Sequence, residues 1–95
     1  MVNRAAKDEL SEELLTPTLI RAARALLGYD QEALAERLGI SRKTLALIET
    51  MKAGPVDPRR RRVLEQMKAT MENEMLVEFI FASKSTGEGV RLRRR

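Results

Sequence analysis

The chain is 95 residues long, 43% hydrophobic and 34% charged, with a net charge of +4 at neutral pH, which suits one small globular domain with a modest core. It contains no Cys and no His, which excludes disulfides, thiol nucleophiles, imidazole bases and zinc-finger ligands, and fits a reducing cytoplasm. No apolar run approaches the ~20 residues of a membrane span, and a start carrying Asp8, Glu9, Glu12 and Glu13 does not read as a signal peptide.

Residues 1–15 read as a polar leader with a weak helical stripe in Ala6, Leu10 and Leu14. Residues 1–20 carry two cations and four anions, whereas residues 21–95 carry sixteen cations and ten anions. A basic body behind an acidic start suits a polyanionic partner, or simple solubility. Thr16-Pro17 predicts a cap and a first helical position, after which Leu19, Ile20, Ala23, Leu26 and Leu27 recur at helical spacing until Gly28 stops the run. Asp30 caps a second helix, with Gln31 and Glu32 in its first turn and Leu34, Ala35 and Leu38 facing inward. Gly39 supplies a left-handed stop, and Ser41 caps a third helix whose inward positions are Leu45 and Ile48. The stretch KAGPVDP breaks the pattern. Asp57-Pro58 then opens a fourth helix with Val63, Leu64, Met67, Met71 and Met75 on one stripe. That stripe reads as core that can also take part in a dimer seam.

Beyond Leu76 the texture becomes β-like. Val77, Phe79 and Phe81 alternate along one run, Val90 and Leu92 along another, and ASKSTGEG between them is rich in turn formers. This predicts a β-hairpin, which must pack on the helices or pair with another chain to persist in water. The expected fold is mainly α: a helix-turn-helix domain over residues 16–76, then a C-terminal β segment and basic tail over 77–95. Arg93–Arg95 read as a disordered basic end.

The second and third helices, joined across Gly39, have the spacing of a helix-turn-helix. What remains outward at the start of the third is Ser41, Arg42, Lys43 and Thr44. Cations at a helix N-terminus oppose its dipole at a cost of ~0.3–1 kcal/mol each. Phosphate or a guanine edge in a major groove would compensate; a solvated turn is the bland alternative. Arg59-Arg60-Arg61-Arg62 pose the same question after Pro58. They read as a phosphate clamp using one or two of the four, Arg59 and Arg60, or as a solvated face pairing with Glu65 or Glu36.

The stretch RAARALLGYDQEALAERLGISRKTLALIE resembles the Cro/repressor-type (Xre) helix-turn-helix proteins, with Gln31, Ala35, Gly39, Leu45, Ile48 and Glu49 at the family's spacing. The ending VEFIF…GEGVRLRRR is similar to small bacterial members that append a β segment. The resemblance implies a cytoplasmic, sequence-specific, homodimeric regulator of double-stranded DNA that recognises a palindromic operator. It implies that Gln31 touches the phosphate backbone, that Ser41, Arg42 and Lys43 read bases and phosphates with Ala46 and Leu47 one turn on, and that Arg24 and Glu49 form a structural ion pair. Thr44 and Lys52 complete the set expected to face DNA. Leu47 departs from the polar residue common there; it could touch a thymine methyl or simply pack. Thr50-Met51 replaces the usual Asn-Gly turn, which allows the third helix to run one turn longer.

The dimer seam is expected from Met71, Met75, Val77, Phe79, Phe81, Val90 and Leu92. An antitoxin-like protein that neutralises a protein partner and also binds DNA is the alternative. An enzyme is disfavoured because no nucleophile–base pair, metal-ligand cluster or phosphate loop is present, and no catalytic residue, metal or cofactor is expected. RNA binding has little to rest on, since one Tyr and two Phe make no stacking platform.

Overall fold

Each helix begins where a short polar side chain can satisfy an otherwise unpaired amide. In the computed structural model, which describes residues 13–52 and 54–94, Thr16 accepts from the Leu19 amide at 3.1 Å and opens α1 (Pro17–Leu27). Asp30 accepts from Ala33 at 2.8 Å and opens α2 (Gln31–Leu38). Ser41 accepts from Thr44 at 3.0 Å and opens α3 (Arg42–Glu49), and Asp57 accepts from Arg60 at 2.9 Å and opens α4 (Pro58–Glu74). All four caps are the ones the sequence predicts. The leader stripe expected at Ala6 and Leu10 lies outside the described residues, as does Arg95.

The ends are equally local. Gly28 and Gly39 both adopt φ 73°, a left-handed turn that costs a residue with a Cβ about 1 kcal/mol or more. At Gly39 this turn swings α3 across α2, and the small Ala35 is buried where the two approach. α3 does not gain the extra turn that its missing Asn-Gly allows. Thr50 stops it, its hydroxyl donating back to the Ala46 carbonyl at 2.9 Å.

α4 turns sharply into the hairpin. Leu76 takes φ 60°, and its carbonyl accepts from the Arg93 amide at 2.7 Å. The Arg93 guanidinium also donates to the Glu72 carbonyl at 2.7 Å, so Arg93 clamps the end of α4 rather than joining a loose basic tail. Strands β1 (Val77–Ile80) and β2 (Gly89–Leu92) pair antiparallel with Val77 opposite Leu92 and Phe79 opposite Val90. Phe81, expected in the strand, lies one residue past its end and packs partly buried against Phe79 and under Lys68. On the outer face Glu78 and Arg91 pair at 2.9 Å, and the hydrogen bond from Arg91 holds the Glu78 carboxyl below its usual value.

One core joins these pieces. Leu15, Leu19, Ile20 and Ala23 meet Leu34, Ala35, Leu45 and Ile48 from the helix-turn-helix and Leu64, Met67 and Met71 from α4. Met75, Val77 and Phe79 extend the same cluster, so the hairpin packs on the helices of its own chain. Leu15, placed in the leader by its sequence, is 2% exposed and belongs to this core. The loop before β2 docks on the start of α1: the Thr16 hydroxyl donates to Glu88 at 3.0 Å, putting a carboxylate by a helix N-terminus, where the dipole favours it. No described helix is long and apolar enough to cross a membrane.

Candidate nucleic-acid interface

A buried carboxylate organises the helix-turn-helix. Glu49, the last residue of α3, is 1% exposed. The Arg24 guanidinium of α1 donates to both its oxygens, Nε to Oε2 at 2.8 Å and Nη2 to Oε1 at 3.1 Å. The Gln31 amide, at the start of α2, adds a third hydrogen bond at 3.0 Å. Arg21 closes the arrangement by donating to the Glu49 carbonyl, a cation at a helix C-terminus. The ion pair implied by the family resemblance is thus present, and one carboxylate fixes the mutual placement of α1, α2 and α3. Arg21 was not picked out from the sequence; it sits one turn before Arg24, on the same side of α1, which was the available signal.

This network constrains Gln31. One of its two amide hydrogens is committed to Glu49, so one remains to meet an outside acceptor. Gln31 shares a cleft with Arg24, Asp30, Glu32 and Arg42 at the start of α3. A second cleft on α3 is lined by Thr44, Asp57, Arg59, Arg60 and Val63. Arg42 thus lies beside Gln31 on one side of the start of α3, and Thr44 lies beside Arg59 and Arg60 of α4 on the other.

The cations divide sharply by their partners. Arg21, Arg24, Arg37, Lys68, Arg91 and Arg93 each bond within the protein: Arg37, for example, donates to the Tyr29 hydroxyl at 2.7 Å. Among the described residues, the side chains of Arg42, Lys43, Lys52 and Arg59–Arg62 make no hydrogen bond or ion pair, nor do those of Lys84 and Arg94 in the hairpin segment, so the pairing of the arginine run with Glu65 or Glu36 is not formed. Arg42, Lys43, Lys52, Arg59 and Arg62 are exposed, while Arg60 and Arg61 are half-buried. Asp57 offsets part of the unfavourable charge at the start of α4 by capping it.

The remaining α3 residues have distinct states. The Ser41 oxygen caps the helix and its hydroxyl donates to Thr44 Oγ1 at 2.9 Å, which leaves the Thr44 hydroxyl hydrogen free to turn outward. Ala46 is half-buried, and Leu47 projects from the helix 56% exposed instead of packing.

Of the residues expected at a dimer seam, Met71, Met75, Val77 and Phe79 are buried in the protomer's own core, because the hairpin folds back over α4. Phe81 and Val90 are half-buried, and Leu92 is 42% exposed. Ile80, 36% exposed on the outer face of the hairpin, was not anticipated; its place between Phe79 and Phe81 in the alternation pointed outward. No group of three or more acidic residues that could hold a metal occurs among the described residues.

Residues 20–55 match the helix-turn-helix family model. No curated protein and no solved structure matches the chain.

Proposed function

We propose, for a chain whose residues 20–55 are a helix-turn-helix of the Cro/repressor (Xre) type and which is thereby a DNA-binding transcription regulator, that it binds a palindromic operator as a homodimer, with α3 of each copy in the major groove. The observation that carries this reading is the division among the cations. Six cationic side chains near the starts of α3 and α4, Arg42, Lys43 and Arg59–Arg62, together with Lys52 in the loop between these helices, have no partner among the described residues, while the arginines around the core are bonded. Cations gathered against two helix dipoles are costly unless an anion faces them, and duplex phosphates provide a row of anions at fixed spacing.

The roles then divide. Arg42 and Lys43, exposed at the tip of α3, reach base edges. Gln31, with its one remaining amide hydrogen, and Arg59 and Arg60 on the opposite side hold the two flanking phosphate backbones, with Lys52 as a further phosphate contact. Thr44 turns its hydroxyl to a phosphate or a base. The dimer uses the exposed apolar side chains of the hairpin, Ile80 on its outer face and Leu92 at the far end of its inner face, since Met71, Met75, Val77 and Phe79 are occupied within the protomer.

Selection from a random duplex pool tests the reading. The expected product is a symmetric site whose half-site centres lie ~34 Å apart, about one DNA turn. No enrichment, or tighter binding to RNA than to any duplex, overturns it.

A further inference from the structure

Leu47 is 56% exposed, more than any other large apolar side chain among the described residues, and it stands on the helix that carries Arg42 and Lys43. Lys43 and Thr44 lie one turn before it and share its side of the helix. One turn on, the Thr50 hydroxyl donates back to the Ala46 and Leu47 carbonyls at 2.9 and 3.3 Å, which commits its hydrogen within the helix. The result is an apolar side chain beside the unpaired Lys43, on the helix whose start carries the unpaired Arg42.

Those cations decide what can cover it. An apolar protein surface seated on Leu47 would also desolvate Lys43, and one broad enough to reach the helix start would desolvate Arg42, without giving either a counter-charge. A polyanion satisfies them, and in the major groove of a duplex the apolar group on a base edge is the thymine C5-methyl. We propose that Leu47 is a specificity-determining residue that packs on a thymine methyl, at one base pair per half-site beside those reached from Arg42 and Lys43. This rests on the operator reading above, and it adds a thymine requirement that hydrogen-bonding side chains alone would not impose.

The test uses the selected duplex and the full chain. Each thymine is replaced singly by deoxyuridine, which removes the methyl and keeps every hydrogen-bonding group. Losing one buried methyl is expected to weaken binding about fourfold at one thymine per half-site. Leu47→Ala should bind the thymine and uracil duplexes at that position equally, while keeping its preference elsewhere. Leu47 is more than half exposed and lies outside the buried core, so the substitution removes little packing, a far-UV spectrum checks that the fold is kept, and the wild-type deoxyuridine series needs no variant at all. If a duplex is selected but every uracil replacement is neutral, this proposal fails and the operator reading stands. If Leu47→Ala lowers the mass seen by light scattering, Leu47 contacts protein and the proposal fails as well. If no duplex is selected, the operator reading itself has failed.

Discussion

Arg24 and Glu49 form a two-pronged ion pair at 2.8 and 3.1 Å, with the carboxylate almost wholly out of water and the guanidinium about a quarter exposed. Removing one partner of a fully buried pair costs ~3–5 kcal/mol, mostly because the other charge is left stranded. The partial exposure of Arg24 and the Gln31 hydrogen bond soften this, so Arg24→Met is expected to cost about 2–3 kcal/mol. The double variant Arg24→Met with Glu49→Met should be less destabilised than the sum of the two single variants. Urea unfolding of the four proteins checks both statements; additive losses would mean that the pair is not coupled.

The four helix starts were legible because capping is a local matter: Thr16, Asp30, Ser41 and Asp57 each accept from an amide three residues on. The pairing of Arg24 with Glu49 was reached only through family resemblance, since nothing in spacing alone brings two residues 25 apart together. The link between Thr16 and Glu88, 72 residues apart, left no sequence signal. The Met stripe shows why pattern has a limit. Periodicity reveals that Met71 and Met75 are covered, but not whether the cover is a second chain or the same chain's own Val77 and Phe79.

Thr16 does two things at once, capping α1 and holding the hairpin loop through Glu88. Thr16→Ala removes both, and is expected to cost about 1–2 kcal/mol. Glu88→Ala removes only the exposed contact and should cost less than ~1 kcal/mol. Thermal melts separate the two, since 1 kcal/mol shifts the midpoint by about 4–8 °C in a domain of this size. Equal losses would mean that the cap itself contributes nothing.

The proposed assembly makes a prediction about which residues to change. Cutting the chain after Leu76 would strip Val77 and Phe79 from the core and uncover Met71 and Met75, so a deletion cannot distinguish an interface from the fold. Ile80→Glu combined with Leu92→Glu alters exposed positions only. It should give a monomer by light scattering with an unchanged far-UV spectrum, and operator binding weakened by at least tenfold. A chain that stays dimeric with both changes uses another surface.

The central claim is that the unpaired cations of α3 and α4 meet DNA in different ways. A cation reading a guanine contributes ~1–3 kcal/mol of preference at one base pair. A cation on a phosphate helps all sequences alike, and its loss lowers the salt slope by about one unit. The most direct measurement is affinity for the selected operator and for random duplex, across a salt series, for Arg42→Ala, Lys43→Ala and the double variant Arg59→Ala with Arg60→Ala. The account predicts that Arg42→Ala and Lys43→Ala lose operator preference while keeping most random-duplex binding, and that the double variant loses both together with a shallower slope. Full operator preference in both α3 variants would contradict it and move the reading surface away from α3.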